Sequence, residues 1–198
     1  MELGNLVTIA ITAAIIQNIV LTYFMGICPF LGVSRRVDMA FGMGMAVTFV
    51  NTVAGTVTYA INRWVLTPLH MEKFLQYVMF IFVIASMVQL VEMYIRKFFP
   101  KLYESFGIYL PLITTNCAIL GTCLLIWTKP AVNASLAGAL VFSMFVGLGF
   151  TIAIVIMAGI REELDFADVP RALRGPAITL LVAAILAMAF MGFAGVGS

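Results

Sequence analysis

Two stretches decide how this chain folds: "GICPFLG" at positions 26–32 and "TNCAILG" at positions 115–121. Both sit inside long apolar runs, and each sets a cysteine, Cys28 or Cys117, four residues before a glycine, Gly32 or Gly121. Both also carry helix breakers. The first holds Gly26, Pro29 and Gly32, and proline lacks a backbone donor and clashes with the preceding helical turn. The second lies between Pro111 and Gly121, with Thr114, Thr115 and Asn116 before the cysteine. Irregular backbone at membrane depth is tolerated only where protein or a cavity covers it. Interruptions in corresponding halves of a membrane chain point to a site. Simple kinking of packed helices is the plainer reading of the same residues.

Composition sets the solvent. The chain has 198 residues, 63% of them hydrophobic and 10% charged, with a mean hydropathy of +1.12. Soluble domains carry about 25% charged residues, and a chain this short has no soluble core large enough to bury the apolar excess. The solvent is lipid. A net charge of +2, with no stretch gathering Lys or Arg into a patch, argues against nucleic acid as a partner. Glu2 replaces the positive start of a signal peptide, so the first apolar run is expected to stay as a membrane helix. Three cysteines are an odd count without an ectodomain, which argues against a disulfide framework.

A spanning helix needs roughly 20 mostly apolar residues. Six segments qualify: about 5–34, 39–62, 74–95, 105–128, 132–160 and 176–197. The first and fifth exceed a straight crossing, so tilt, a break or a re-entrant turn is expected there. Loops one, three and five carry Arg35, Arg36, Arg96, Lys97, Lys101, Arg161, Arg171 and Arg174, against Arg63, Lys73 and Lys129 on the other side. That bias places the odd loops in the cytoplasm.

The expected fold is an all-α integral membrane protein of six transmembrane helices. It forms a single membrane domain, 1–198, of two inverted three-helix repeats, about 1–100 and 101–198. Spans one and four are interrupted near the cysteines, and both termini lie outside, on the periplasmic face. The fourth span starts on the opposite side from the first, as an inverted repeat requires. Two echoes support the repeat: Cys28-Pro-Phe-Leu-Gly32 with Cys117-Ala-Ile-Leu-Gly121, and Gly42-Met-Gly44 with Gly147-Leu-Gly149.

A free cysteine is often only a small buried hydrophobe. The matched positions lift Cys28 and Cys117 above that reading. Cys123 lies six residues after Cys117, about 120° around a helix, so the two do not chelate one ion, and it has no evident counterpart in the first half. Two thiols suit an intrachain disulfide, half of a metal site, or nothing. Iron–sulfur clusters and structural zinc usually take four protein ligands. The single histidine, His70, reads as a solvated loop residue. A complete cluster therefore takes two further cysteines from a partner, and a second chain of the same plan, inserted the other way up, could present them.

Other polar residues carry weaker signals. Glu92 follows Gln89 near the cytoplasmic end of span three, and an ionisable residue in a span is a functional candidate. A pair with Arg96 at i+4 is the plainer reading. Asn18, Asn51 and Asn116 suit the lining of an ion path, and hydrogen-bonding glue between helices is the plainer reading; Asn116 is also placed to orient a site at Cys117. "REELDFADVPRALRG" at 161–175 mixes four acids with three arginines and reads as a solvated loop, with Pro170 and Gly175 as punctuation.

These residues carry a family resemblance. The chain resembles the RnfA/NqrE family of membrane subunits over essentially its whole length. The strongest stretches are "FMGICPFLGVSRR", "FGIYLPLITTNCAILG" and "MAGIREELDFADVPRALRGPAIT". "GICPFLGVS", "FGMGMA" and "LITTNCAILG" are closer to the RnfA branch than to NqrE.

The resemblance implies a subunit that pairs with a homologous six-helix subunit of opposite topology, RnfE-like, among the other Rnf complex subunits. The pair holds a [2Fe–2S] cluster in the membrane, with two cysteines from each member. The family's cluster cysteines fall on Cys28 and Cys117, with Gly26, Asn116 and Glu92 as supporting candidates. The complex resembles one that moves electrons between ferredoxin and NAD, coupled to Na⁺ or H⁺ translocation in a bacterial or archaeal cell (inner) membrane. This chain is expected to act as a non-autonomous part of that translocase, with no catalytic residue of its own. It has no G-x-G-x-x-G after a strand and no multi-cysteine ferredoxin run, and no covalent-flavin threonine motif. It is expected to bind neither NAD nor flavin. The NqrE subunit of the Na⁺-translocating NADH:quinone oxidoreductase is one alternative, and a cofactor-free secondary transporter or channel-like subunit is another.

Overall fold

The computed structural model of the chain describes residues 3–66, 73–98, 112–113, 115–133, 135–167, 170 and 175–194. Every element among them is a helix. Helix α1 is Leu3–Ile11 and widens into a π turn at Thr12–Ile16; α2 is Ile27–Val33; α3 is Val37–Ile61, with a second π turn at Asn62–Leu66. Then come α4 (Lys73–Phe98), α5 (Cys117–Thr128), α6 (Pro130–Asn133), α7 (Leu136–Phe166) and α8 (Pro176–Ala194).

Two of these, Val37–Trp64 and Leu136–Phe166, are long and apolar enough to cross a membrane by length and composition. Shorter apolar helices cover Leu6–Ile16, Tyr77–Leu90, Cys117–Thr128 and Pro176–Gly192. All six lie on the six apolar runs read from the sequence. His70 and the stretch 99–111 lie outside the described residues. The outward faces are apolar: Phe82 and Met93 on α4, Phe41 and Phe49 on α3, and Ile185 and Met188 on α8 are all exposed. Such surfaces suit a solvent of acyl chains.

Helix α7 departs from the sequence reading at its far end. It continues to Phe166, so Arg161, Glu162, Glu163 and Asp165 are helical and do not belong to a loop. Nothing in Arg161–Phe166 breaks a helix; Glu and Leu favour one, and the first proline is Pro170.

The centre of the molecule is the crossing of α3 and α7. Lipid tails are as apolar as leucine, so helices in a bilayer associate through close packing of small residues and through polar contacts. Here a Cβ on Gly44 would lie 2.6 Å from Cγ2 of Thr151, and one on Gly147 would lie 2.6 Å from Cα of Thr48. The two threonine hydroxyls meet at 3.1 Å. Thr48 Oγ1 also donates to the Gly44 carbonyl at 2.8 Å, and Thr151 Oγ1 to the Gly147 carbonyl at 2.9 Å. Each helix thus contributes the same Gly-x-x-x-Thr step. The matched glycines are Gly44 and Gly147, which corrects the alignment of Gly42 with Gly147 by two positions. Farther along, Asn51 Nδ2 donates to the Ser143 carbonyl at 2.8 Å, and Gly55 leaves room for the Ser143 side chain.

Candidate functional site

The first apolar run stops being helical after Ile16, and Asn18 explains how the break survives burial. Asn18 is fully buried. Its Nδ2 donates to the carbonyls of Ala14 (3.2 Å) and Gly149 (2.8 Å), and its Oδ1 accepts from the N–H of Val20 (3.0 Å) and Leu21 (3.4 Å). One side chain replaces the backbone partners that a broken helix loses, and it ties the break to α7.

The chain then turns back into a helix. Phe24 has φ 54° and Gly26 has φ 84°, the left-handed region that glycine enters without a steric penalty. Helix α2 begins at the next residue, so Cys28 lies in its first turn. Pro29 lies there too, where a backbone N–H has no intrahelical partner anyway. Pro29 therefore starts α2, and the break comes before it, at 17–26.

Helix α5 begins at Cys117, and Asn116 caps it: Oδ1 accepts from the Ala118 N–H at 3.0 Å, the arrangement asparagine favours at an N-cap. The starts of α2 and α5 pack against each other. A Cβ on Gly26 would lie 3.0 Å from both Ala118 Cβ and Asn116 Oδ1, and 3.1 Å from Phe150 Cε2. Gly121 likewise leaves space for Met25. Gly26 and Asn116, both candidates from the sequence, thus join the two cysteine segments. Glu92 is half-buried on α4, and among the described residues no ion pair involves it; the Arg96 side chain lies outside them.

All three cysteines are free thiols, with Cys28 and Cys117 exposed and Cys123 buried. The intrachain disulfide among the sequence alternatives is not formed. Cys123 has no cysteine counterpart in the first half, where a serine stands at the same spacing. Ser34 follows Cys28 by six residues, as Cys123 follows Cys117. Ser34 Oγ accepts from Arg161 Nη1 at 2.8 Å, and Cys123 Sγ lies 3.7 Å from Thr58 Oγ1. Arg161 follows Gly147 by fourteen residues, as Thr58 follows Gly44. The next residue along each helix also makes a contact, with partners at positions that do not correspond. Glu162 accepts from the Val37 N–H at 3.0 Å, and the Tyr59 hydroxyl donates to the Asn133 carbonyl at 3.1 Å. The far end of α7 thus contacts the turn between α2 and α3, and the far end of α3 contacts α5 and α6. The correspondence of Arg161 with Thr58 was invisible in the sequence until the Gly-x-x-x-Thr register fixed it.

The donor set can be tested against a metal–sulfur group. Among the described residues no three His, Cys, Asp or Glu side chains gather in one place, so these residues supply two thiols and no more. Asn116 Nδ2 is buried without a partner, one residue from Cys117. A buried amide costs free energy unless its donors are used, and a thiolate or sulfide beside Cys117 is an acceptor for it. Two exposed thiols and one unused buried donor fit part of the ligand set of a metal–sulfur group.

Apolar outward faces, a first apolar run whose helix breaks after Ile16, and two exposed free cysteines at the starts of helices that pack together define a class of membrane protein with a candidate site at those starts. The chain belongs to the Rnf-Nqr family of membrane-protein subunits, whose pattern matches residues 6–197. It is 52% identical over 191 residues to the A component of an ion-translocating oxidoreductase complex from Syntrophotalea carbinolica, covering 96% of this chain and 97% of that protein. It is 49% identical over 195 residues to the A component of a Na⁺-translocating ferredoxin:NAD⁺ oxidoreductase complex from Acetobacterium woodii, covering 96% and 97%. The A component of an ion-translocating oxidoreductase complex from Azoarcus sp. is 47% identical over 182 residues, 92% of each chain.

Proposed function

We propose that this chain is the RnfA-type component of an ion-translocating ferredoxin:NAD oxidoreductase, and that it supplies half of a [2Fe–2S] site inside the membrane. The observation that carries the reading is the pair of exposed, unpaired cysteines, each in the first turn of one of two helices whose starts pack together. Near-full-length similarity to proteins named as the A component of such complexes supports the assignment to a redox-driven translocase over the quinone-linked alternative.

Cys28 and Cys117 would be two of the four ligands, and a homologous six-helix subunit of opposite topology would bring the other two. The cluster, when bound, supplies one-electron transfer. This chain's own residues do the holding. Asn18 stabilises the break in span one, Gly26 lets the two helix starts approach, and Asn116 caps α5 and offers an amide donor beside Cys117.

The reading includes six spans in two inverted repeats, with both termini on the outer face of a cell inner membrane. Three features support it. The Gly-x-x-x-Thr step recurs in both halves, and Ser34 and Cys123 stand at the same spacing after Cys28 and Cys117. The α2–α3 corner gathers Arg35, Arg36 and Arg161, while Arg63 and Lys129 lie at the opposite ends of α3 and α5, as positive-inside sidedness requires. At that outer end Lys129 donates to Gln17 Oε1 and lies 5.2 Å from the centre of the Phe142 ring, a cation–π distance. Burial pushes its pKa below the usual lysine range.

The test is to co-express the chain with its homologous partner and measure iron, acid-labile sulfide and visible absorption. Cys28→Ser and Cys117→Ser should each abolish the absorption band. An unchanged spectrum in either variant would sink the assignment.

A further inference from the structure

The two cysteine-bearing helices are held unequally. Helix α5 has twelve residues, a side-chain cap at its start, and a buried face running through Ile119, Cys123 and Ile126. Helix α2 has seven residues and no side-chain cap. A helix that short has no stability of its own, so its direction must be set from outside.

At its start, α2 is fixed by the contacts of Gly26. Its other end is held by the buried side chains of Phe30 and Val33, and one of its last carbonyls by a side chain of α7. Arg161 Nη1 donates to the Leu31 carbonyl at 2.9 Å and to Ser34 Oγ at 2.8 Å. Leu31 is in the last turn of α2, where carbonyls have no intrahelical partner, and a cation there meets the negative end of the helix. Ser34 is fully buried, so the anchor point is fixed on both sides. Glu162 holds the next residue of the corner, Val37. At the same spacing on α3, the place of Arg161 belongs to Thr58, which touches Cys123 without charge. The guanidinium stands only where the helix is too short to hold itself.

We propose that Arg161 is a positioning residue for Cys28. It orients the helix that presents this thiol, three residues from the carbonyl it binds, and leaves Cys117 to its own cap. The proposal rests on the reading of Cys28 as a cluster ligand. Lysine can keep the charge but lacks the planar fork of donors, so Arg161→Lys should restore the position in part and Arg161→Gln should not.

The test uses the complex with its cluster removed by an iron chelator under reducing conditions. The reaction of each cysteine with N-ethylmaleimide is followed by mass spectrometry of its peptide. Arg161→Gln should speed Cys28 several-fold and leave Cys117 at the wild-type rate, with Arg161→Lys between. Thr58→Val should leave Cys28 unmoved. Equal acceleration of both cysteines, or of neither, overturns the proposal. Should Arg161→Gln fail to assemble, Ser34→Ala removes one of the two acceptors and is judged by the same pair of rates. The EPR signal of the reduced wild-type complex checks the cluster reading separately. Its absence would remove the cluster while the two labelling rates still decide whether Arg161 holds α2.

Discussion

At the scale of single residues, chemistry separates three thiols that composition cannot. Cys28 and Cys117 are exposed in the first turns of helices, whereas Cys123 is buried against Thr58 in the place that Ser34 takes in the other half. Cys123→Ser in the co-purified pair should therefore keep the full iron and sulfide content, read by chemical assay. Asn116 has two separable functions. Its Oδ1 caps α5, while its Nδ2 is an unused donor beside Cys117. Asn116→Ser keeps a cap oxygen and deletes the amide donor. Hydrogen bonds to the sulfurs help set a cluster's potential, so this variant should retain its cluster with a lowered midpoint potential, measured by EPR-monitored redox titration. The cysteines and Asn116 were legible in the sequence because each acts within a local motif. Ser34 and Arg161 were not, because their meeting depends on the register of helices far apart in the chain.

Among elements, the break in span one was legible but its mechanism was not. Pro29 marks the interruption, yet it starts α2; the polar anchor of the break is Asn18, ten residues earlier than Cys28. Asn18→Ala would leave the Gly149 carbonyl and the N–H groups of Val20 and Leu21 short of partners. Each such buried group costs about 1–3 kcal/mol, and polar contacts in bilayers measure at the low end of such ranges. A loss of about 1–3 kcal/mol in detergent unfolding is expected. The crossing of α3 and α7 gives a sharper comparison on one helix. A Cβ at Gly147 would collide with the Thr48 backbone, while one at Gly159 meets nothing within 4 Å. Gly147→Ala should destabilise by about 1–3 kcal/mol, the usual range for overpacking. Gly159→Ala should be neutral or stabilise by up to about 1 kcal/mol from helix propensity. Similar losses from both would mean that the crossing does not sit at Gly147. The far end of α7 misled the sequence reading because charge density resembles a loop, although charged residues such as glutamate form helix well.

For the whole molecule, sidedness and partnership are the claims that matter. The charge asymmetry was legible by counting, and the structure groups Arg35, Arg36 and Arg161 at one corner. A cysteine placed at position 36 by Arg36→Cys should react with an impermeant maleimide in inverted vesicles only, and one placed by Arg63→Cys in right-side-out vesicles only. Reversed labelling would invert the topology. Partnership lies beyond one chain's sequence pattern, because half a ligand set looks the same whether its complement exists or not. The most direct measurement is therefore stoichiometric: iron, acid-labile sulfide and reduced-state EPR, compared between the chain purified alone and the chain co-purified with its homologous partner. The expected result is about two irons and two sulfides per pair, with no cluster on the chain alone and none in the pair carrying Cys28→Ser or Cys117→Ser. A full cluster on the solitary chain, or an undiminished signal in either serine variant, would contradict the claim that this protein holds half of a shared site.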